Sequence, residues 1–335
     1  MDDDCGWMPA TASAADVTIL LSTFNGVRHL AAQLDSFAAQ TLTRWRLLWR
    51  DDGSSDGTPD AIERFASALP AGRVVRSSGS GVHLGVFDSF LALLAEASDA
   101  PAVALADQDD VWLPEKLARA LDALAAADPE IPALYCSALT VVDQDLRPIG
   151  TSLPLRHDPG FPGALLQNIA SGCTMVLNQA AVRAVLKAAR PHHGVHDWWI
   201  YLLVTAIDGQ VLFDPAPSML YRQHGANAIG ASWSRSVFKR VAGAFRRGAG
   251  PYNAMLQQHL DALRRNEAML APGVATAVRR IDAGFAGPWW RRAGLLLIPG
   301  FRRQTPIQTV VLALWMLRGS RKLFRRWSGP QAESL

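Results

Sequence analysis

Short apolar runs alternate with amphipathic stretches through the first part of the chain. Runs such as 47–49 and 102–106 are bounded by turn residues and are too short for helices, which indicates buried strands. Strands that alternate with helices predict an α/β fold with a mainly parallel, Rossmann-like sheet and flanking helices. The predicted strands and helices are a strand at 17–22, a helix at 27–40, a strand at 46–50, a helix at 59–68, a strand near 74–75, a helix at 86–97, a strand at 102–106 and a helix at 114–126.

The alternation becomes less regular after Pro129, and we find no internal repeat or long linker before about residue 231. A chain of 335 residues can bury a core large enough for one big α/β domain and an appendage. We therefore expect a disordered N-terminus over residues 1–15, an α/β domain over residues 16–231 and a basic helical extension over residues 232–335.

Two acidic turns follow predicted strands. The first is Asp51–Thr58, with the sequence DDGSSDGT, and the second is Asp107–Asp110, with the sequence DQDD. Ligands of open α/β sheets bind at the carboxyl ends of the strands. Carboxylates crowded at such an edge repel each other unless a cation or hydrogen-bond donors compensate them. The two turns therefore indicate a site for a nucleotide diphosphate and a metal ion.

Several stretches of the chain resemble glycosyltransferase family 2, whose members have the nucleotide-diphospho-sugar-binding GT-A fold. The resemblance covers roughly residues 16–231 and looks most like the bacterial rhamnosyltransferase branch. It implies that the α/β domain is a GT-A catalytic domain. The stretches that carry it are VTILLSTFN at 17–25, the turn at 51–58, DQDDVW at 107–112 with Pro114, Lys116 and Leu117, SGCT at 171–174, HDWW at 196–199 and YRQHG at 221–225.

The resemblance implies a nucleotide site at the turn after the first strand. Ser22 and Phe24 would border the base, Asn25 stands in the same turn, and Asp52 would accept a hydrogen bond from the imide N–H of the base. The alternative is that Phe24 belongs to the core and Asp52 caps the following helix. That alternative leaves the adjacent carboxylates Asp51 and Asp52 unexplained.

The second acidic turn suits a metal ion. A sugar that leaves its nucleotide diphosphate deposits negative charge on the β-phosphate, and a divalent cation can neutralise that charge. Hard oxygen ligands favour Mg²⁺ or Mn²⁺. By the resemblance, Asp109 is a direct ligand, Asp107 contacts ribose or water or joins the metal site, and Asp110 orients the sugar or the metal. A helix N-terminus decorated with Asp is the alternative.

A later stretch, YRQHG at 221–225, is the candidate for the diphosphate end of the site. We predict that His224 is a further metal ligand or a cationic hydrogen-bond donor. Arg222 is predicted to pair with phosphate oxygens. For both residues, a role in stabilising the loop is the alternative.

An inverting transfer also needs a base that takes the proton of the acceptor hydroxyl, and such a base contributes about 10²–10⁴-fold. Asp197 is the candidate, because an acidic residue of this region has that role in the family that the chain resembles. N-capping of a helix is the alternative. His192 and His196 could suggest zinc, but Pro191 and Gly194 argue against a helix that would bring both to one face.

Charge is segregated along the chain, whose net charge is +3. Residues 232–335 carry 18 Lys and Arg against 4 Asp and Glu, which leaves 15 against 26 for residues 1–231. The basic segment also holds five Trp residues, and its apolar stretches fall short of the ~20 residues that a transmembrane helix needs. We expect it to bind an anionic membrane surface. Packing on the α/β domain is the alternative, and the acidic remainder opposes nucleic acid.

The cysteines and the N-terminus bear on the compartment. Cys5, Cys136 and Cys173 are widely spaced and form neither a disulfide framework nor a zinc pattern. Residues 1–4 are acidic and lack the basic and then apolar order of a signal peptide. We therefore expect a cytoplasmic protein that is peripheral at the inner face of the cell membrane.

These features predict a metal-dependent, inverting glycosyltransferase of cell-surface polysaccharide synthesis. The donor would be a dTDP- or UDP-sugar, with dTDP-rhamnose suggested by the branch resemblance, and the acceptor a saccharide or a polyprenyl-diphosphate-linked saccharide. A nucleotidyltransferase that acts on a sugar phosphate is an alternative, although residues 22–26 contain no Lys or Arg to hold a triphosphate. A non-catalytic membrane-surface binding protein is another, but it leaves the acidic turns unexplained.

Overall fold

A computed structural model of the chain describes residues 15–152, 154–223 and 250–318. Three sequence predictions concern residues outside these ranges. The first is the disordered N-terminus predicted for residues 1–15, of which only residue 15 is described. The others are the role of His224 and the contribution of Trp233 and Trp327 to membrane binding.

The described residues form strands that belong to two sheets. In chain order the strands are β1 (Val17–Thr23), β2 (Trp45–Asp51), β3 (Val74–Arg76), β4 (Ala102–Ala106), β5 (Val111–Trp112), β6 (Ala133–Ser137), β7 (Thr140–Val142), β8 (Pro148–Thr151), β9 (Val176–Asn178), β10 (Gln210–Asp214) and β11 (Met219–Arg222).

Helices flank the larger sheet and form the described part of the C-terminal extension. Short 3₁₀ turns lie at Gly172–Thr174 and Glu267–Met269. The helices are α1 (Val27–Ala38), α2 (Thr58–Ser67), α3 (Val86–Glu96), α4 (Lys116–Ala125), α5 (Gly163–Leu166), α6 (Gln179–Lys187), α7 (His196–Ala206), α8 (Gly250–Arg265), α9 (Pro272–Ala286), α10 (Trp289–Leu295) and α11 (Pro306–Arg318).

The larger sheet has the order β10-β6-β9-β4-β1-β2-β3. Every neighbouring pair is parallel except those of β9, which is antiparallel to both β4 and β6. The predicted mainly parallel sheet with flanking helices is therefore confirmed. All eight predicted strands and helices form, with ends that differ from the predicted ones by at most two residues.

The central strands are buried on both faces. Leu20 and Leu105 pack into the core on one side of the sheet, whereas Ile19 and Ala104 pack into the core on the other side. Helices α3, α6 and α7 contribute to the first core, and α1 and α4 to the second. Strands covered on both faces have continuous apolar sequences instead of alternating ones, which explains the short apolar runs.

The smaller sheet has the order β5-β11-β7-β8 and includes pairs that are far apart in sequence. Leu220 of β11 pairs with Val111 of β5 and with Thr140 of β7. This pairing brings the end of β11 to the acidic turn that precedes β5.

The C-terminal extension packs on the α/β domain and shares its core. Leu260, Ile281, Phe301 and Met316 are buried in the same apolar cluster as the residues of α3 and α7. Helix α7 is apolar around its whole circumference because β6, β10, α3, α5 and α8 surround it. The packing alternative considered for the extension is thus observed for one side of its helices. Among the described helices, none has the length and apolar character needed to cross a lipid bilayer.

Candidate active site

Three turns meet at the carboxyl ends of β1, β2 and β4. The register pairs Thr23 with Asp51 and Leu21 with Ala106, so the turns that follow these strands start side by side. They are the turn at 23–26, the acidic turn at 51–58 and the acidic turn at 107–110. This is the edge at which open α/β sheets bind ligands.

Asn25 joins the first turn to the second. Its backbone N–H donates to Oγ of Ser54 at 2.8 Å, and its side-chain Oδ1 accepts from the N–H of Ser55 at 2.9 Å. The residue has a φ of +47°, which Asn adopts more readily than most residues. Ser22 lies in β1, half-buried, and pairs in register with Arg50. The side chain of Asn25 therefore shapes the turn.

Phe24 lies at the surface of the site. Its backbone exchanges two hydrogen bonds with the side-chain amide of Gln108, at 2.9 and 3.0 Å, which ties the first turn to the second acidic turn. The residue is 46% exposed, and its ring centroid lies 5.3 Å from that of His83. The alternative that Phe24 belongs to the core is therefore wrong. The two exposed rings offer flat faces on which a base could stack.

Asp52 is buried and holds the loop before α3. Its Oδ1 accepts from Arg50 Nη1 at 2.6 Å and from the N–H of Leu84 at 2.6 Å, while Oδ2 accepts from the N–H of Gly85 at 2.8 Å. Burial alone would raise its pKa, but these hydrogen bonds and the nearby His83 hold the pKa below the usual value. Asp52 does not cap α2, whose N-cap residue is Gly57. Its contacts stabilise the loop at 82–85.

Asp107, Asp110 and Cys173 form a compact group, which we call the acidic cluster. One ligand atom of each lies within 4.8 Å of those of the other two. Asp110 is fully buried, and its Oδ1 accepts from the backbone N–H of Arg222 at 3.0 Å. Its Oδ2 is buried and has no hydrogen-bond partner among the described residues. That buried oxygen is therefore available to coordinate a metal ion.

Charge repulsion is strong within the acidic cluster. Burial, together with the charges of Asp109 and Asp197, raises the pKa of Asp107 to about 7. Burial and the charges of Asp107 and Asp109 raise the pKa of Asp110 well above its usual value. Carboxylates in this state gain from a cation that neutralises them, so the donor set fits a divalent ion.

Lys116 supplies one positive charge behind the cluster. Its ammonium group is buried, donates to the carbonyl oxygen of Cys173 at 3.0 Å and lies 4.7 Å from the centroid of the Trp112 ring. Burial lowers its pKa to about 8, although Cys173 and Asp110 oppose the shift. One such charge cannot balance the two carboxylates of the acidic cluster and the neighbouring Asp109.

The observed cluster differs from the predicted ligand set. Asp109 is half-buried beside the cluster but is not part of it, and His224 lies outside the described residues. Cys173 was not among the predicted site residues, because a cysteine without a suitably spaced partner gives no metal-binding pattern. Its place in the SGCT stretch was the available signal. Helix α4 begins at Lys116, after the turn at 107–110, so the alternative of a decorated helix N-terminus is not supported.

Arg222 holds the second acidic turn in place. Its Nε donates to the carbonyl oxygen of Asp109 at 2.8 Å, and Nη1 donates to the carbonyl oxygen of Gln144 at 2.6 Å. The residue is 4% exposed. These contacts favour the loop-stabilising alternative for Arg222 over a contact with phosphate.

Asp197 stands in the first turn of α7 and faces the same site. It is not the N-cap residue, which is Val195. Its Oδ2 accepts from the N–H of Gly172 at 2.9 Å, and its Oδ1 is buried without a hydrogen-bond partner among the described residues. Burial raises its pKa to about 6, although the N–H groups of Gly172 and Trp198 oppose the shift. A carboxylate with this pKa is ionised at pH 7 and can take up a proton.

The histidines near Asp197 do not form a metal site in the described part of the chain. His196 stacks on Phe90 with 4.1 Å between ring centroids, and burial lowers its pKa to about 3. His192 and His193 lie in the loop between α6 and α7, and no His belongs to a candidate metal group of the described residues. The zinc alternative is not supported.

Comparisons with known proteins agree with this geometry. Residues 18–154 match the family model described as Glycosyl transferase family 2. The chain is therefore similar to this family over these residues. Two relatives of the chain are glycosyltransferases: dTDP-rhamnosyl transferase RfbG of Shigella flexneri and the uncharacterized glycosyltransferase alr2836 of Nostoc sp.. RfbG is 25% identical, and the match covers 66% of this chain and 78% of RfbG. The Nostoc protein is also 25% identical, and the match covers 63% of this chain and 66% of that protein.

The fold of this chain is similar to solved GT-A structures. S. aureus TarS 1-349 in complex with UDP-GlcNAc has a TM-score of 0.51 and 15% identity, and the match covers 84% of this chain and 88% of that one. At this identity the likeness supports the GT-A fold alone. The predicted fold class and the predicted enzyme class, a glycosyltransferase, are both confirmed.

Proposed function

We propose that this glycosyltransferase is an inverting, metal-dependent enzyme that transfers a sugar from a nucleotide diphosphate to an acceptor hydroxyl. One observation carries the proposal: a base candidate and a set of metal-ligand candidates share one site. Oδ2 of Asp197 accepts a hydrogen bond from the backbone N–H of Gly172, which precedes Cys173 of the acidic cluster, so the base candidate lies beside the cluster although it stands on a different segment.

Asp197 is the proposed general base. Its ionised carboxylate takes the proton of the acceptor hydroxyl as that oxygen attacks the anomeric carbon. The bond from Gly172 fixes Oδ2, which leaves the buried Oδ1 as the oxygen that accepts the proton. Burial favours the protonated form that results from the transfer, which makes this carboxylate a stronger base than an exposed one.

The acidic cluster is the proposed binding site of the cation. Asp107 and Asp110, with Asp109 beside them and Cys173 between them, would hold Mg²⁺ or Mn²⁺. Such a cation neutralises the negative charge that develops on the leaving diphosphate. Lys116 and Arg222 keep the cluster in position through their bonds to Cys173 and to the turn at 109–110.

The nucleotide is proposed to lie on the turn at 22–26, with its base against the exposed rings of Phe24 and His83. A nucleotide-sugar donor is supported by the TarS complex with UDP-GlcNAc, which has a similar fold. The name of the relative RfbG supports dTDP-rhamnose as the donor. We propose dTDP-rhamnose first and a UDP-sugar second.

Calorimetric titrations with dTDP-rhamnose, UDP-glucose and GDP-mannose, each with and without Mn²⁺, test the donor and the cation together. We expect one donor to bind more tightly with Mn²⁺ than without it. The Asp109→Ala variant should lose that dependence, and Asp197→Asn should bind the donor but fail to transfer the sugar. The proposal is overturned if no nucleotide sugar binds, or if Asp197→Asn transfers at the wild-type rate.

We further propose that the extension binds the inner face of the cell membrane, where a polyprenyl-diphosphate-linked saccharide would be the acceptor. Six large apolar side chains of α10, α11 and the loop between them are exposed. Arg291 lies 5.1 Å from the ring of Trp290 and adds positive charge to this apolar surface. Trp at headgroup level and Arg near anionic lipid favour such binding. The exposed side chains are Trp289, Trp290, Leu297, Ile307, Val310 and Leu314.

Sedimentation with lipid vesicles tests the membrane proposal. The wild-type protein should pellet with vesicles that contain phosphatidylglycerol and less with pure phosphatidylcholine, because anionic lipid attracts the Arg side chains. The double variant Trp289→Ser and Trp290→Ser should remain in the supernatant. Ile149→Ser, which removes an exposed apolar side chain from β8, is the matched control. Equal pelleting of the Trp variant and the control contradicts the proposal.

A further inference from the structure

A cavity of about 170 Å³ lies between the segment after β8 and the loop that joins α10 to α11. It therefore forms where the C-terminal extension meets the α/β domain. The side chains that matter for its chemistry are His157, Asp158, Phe161, Gln167, Tyr201 and Arg302.

The cavity borders on the proposed base from two directions. Tyr201 follows Asp197 by four residues on α7, and such residues are neighbours on one helix face with about 5–6 Å between Cβ atoms. Gln167 and Ile169, which both line the cavity, flank Asn168, whose side chain lies beside the Asp197 carboxylate. A group bound in the cavity would thus lie next to the acceptor side of the site.

Three polar groups of the wall are available to a ligand. Within the described residues, the carboxylate of Asp158 and the guanidinium of Arg302 make no hydrogen bond or ion pair, and both residues are exposed at the rim. The hydroxyl of Tyr201 accepts a hydrogen bond from the backbone of Gly160, so its proton remains free to be donated. Burial raises the pKa of Tyr201 and keeps that proton in place.

The side-chain amide of Gln304 links the wall formed by the extension to the wall formed by the segment after β8. Oε1 of Gln304 accepts from the backbone N–H groups of Arg156 and His157 at 2.8 and 3.1 Å, and Nε2 donates to the carbonyl oxygen of His157 at 3.0 Å. The backbone N–H of Gln304 donates to Oε1 of Gln167 at 3.0 Å. The cavity is therefore preformed, which lowers the free-energy cost of ordering it around a ligand.

Size and charge indicate the ligand class. A cavity of about 150 Å³ can hold a benzene molecule, so this one has room for one six-membered ring and not for a chain. The carboxylate of Asp158 disfavours a phosphate, whereas a carboxylate, a guanidinium and a phenol together match hydroxyl groups that both donate and accept. Phe161 offers an apolar face to the C–H groups of a sugar ring.

We infer that this cavity binds one uncharged sugar ring of the acceptor, and that the C-terminal extension thereby takes part in choosing the acceptor. The inference rests on the proposed function, because it needs Asp197 to be the base. Asp158, Arg302 and Tyr201 are the residues that would contact the hydroxyl groups of that ring.

Saturation-transfer NMR on the full chain tests the inference with methyl glycosides as probes: methyl α-rhamnoside, methyl β-glucoside and methyl N-acetyl-β-glucosaminide. At least one should bind the wild-type protein. Its affinity should fall about tenfold or more in the double variant Asp158→Ala and Arg302→Ala, and also in Tyr201→Phe, because hydrogen bonds to charged groups and to a buried phenol are lost. Arg156→Ala removes an exposed side chain outside the cavity and should bind as the wild type does.

The inference is overturned if none of the probes binds, or if the wall variants bind as tightly as Arg156→Ala does. Thermal unfolding checks that the Asp158, Arg302 and Tyr201 variants are folded. Donor binding to the wild-type protein is measured separately, so the failures of the two proposals can be distinguished. Donor binding without glycoside binding overturns only the inference. Glycoside binding without any donor overturns the proposed function and with it the acceptor role of the cavity.

Discussion

Oδ2 of Asp197 accepts a hydrogen bond from the backbone N–H of Gly172 at 2.9 Å. This bond joins the first turn of α7 to the 3₁₀ turn at Gly172–Thr174, which carries Cys173 of the acidic cluster. The proposed base and the proposed metal ligands are thus held at a set distance by one backbone group.

Gly172 is the first position at which this relationship can be tested. A Cβ atom there would lie 2.8 Å from Nε2 of His196 and 3.2 Å from Cβ of Asp197. We expect Gly172→Ala to displace Asp197, to reduce kcat at least tenfold and to cost about 1–3 kcal/mol of stability through overpacking. Gly150→Ala is the control, because a Cβ there meets no atom within 4 Å. Steady-state kinetics measures the change in kcat, and urea unfolding measures the loss of stability. An unchanged kcat would show that Asp197 tolerates its displacement.

The pKa of Asp197 predicts a pH dependence. Only the carboxylate can accept a proton, so kcat should fall about tenfold per pH unit below about pH 6 and level off above it. The folded-state pKa lies above the ordinary value of 3.8, so this group contributes stability at low pH that is lost as pH rises through about 6.

Asp197→Asn should abolish transfer and should also remove that part of the pH dependence of stability. Thermal unfolding of both proteins between pH 4 and pH 8 measures it. The stability of the wild-type protein relative to the Asn variant should decline across this range. A constant difference between the two curves would mean that the pKa of Asp197 is not raised.

Cys173 predicts an effect on metal preference. A thiol is a softer ligand than a hydroxyl and favours Mn²⁺ over Mg²⁺. We expect Cys173→Ser to lower the ratio of the activity with Mn²⁺ to that with Mg²⁺ severalfold. Cys136→Ser, at a buried cysteine outside the acidic cluster, is the control. An equal ratio of Mn²⁺ activity to Mg²⁺ activity in Cys173→Ser and Cys136→Ser would place the thiol of Cys173 outside the metal site. Removal of all divalent cations with EDTA should abolish transfer.

The buried ion pair between Arg50 and Asp52 predicts a large loss of stability. Arg50 is fully buried and donates to Asp52 at 2.6 Å. Arg50→Met leaves the buried carboxylate of Asp52 without its cation and should cost about 3–5 kcal/mol in urea unfolding. Arg44→Met breaks the exposed pair with Asp16 and should cost less than about 1 kcal/mol. Similar losses in both variants would contradict the structural role of Asp52.

The sheet and the position of the acidic turns could be predicted from the sequence because their signals are local. The apolar run at Ala102–Ala106 and the acidic residues directly after it already imply a strand that ends at a polar edge. The start of α7 was also predictable, since Pro191 and Gly194 stand before it. These signals need no knowledge of which distant residues come into contact.

The parts that could not be predicted depend on contacts between distant segments. Strand β5 is two residues long and pairs with β11, so neither has a periodic pattern strong enough to identify it. The roles of Asp52 and Arg222 follow from the loop at 82–85 and from the turn at 109–110, and the spacing of residues says nothing about either. Cys173 joins the acidic cluster only because of the 3₁₀ turn. The assigned site roles themselves stay predictions until they are tested.

The shared core described above has an evolutionary consequence. Leu260, Ile281 and Phe301 of the extension fill the same apolar cluster as α3 and α7, and one wall of the cavity beside Asp197 also belongs to the extension. Recombination that exchanged the chain after residue 231 would uncover the back of α7 as well as alter the proposed acceptor cavity. New acceptor preferences in this lineage should therefore arise through point substitutions in the wall, and not through the shuffling of a detachable module.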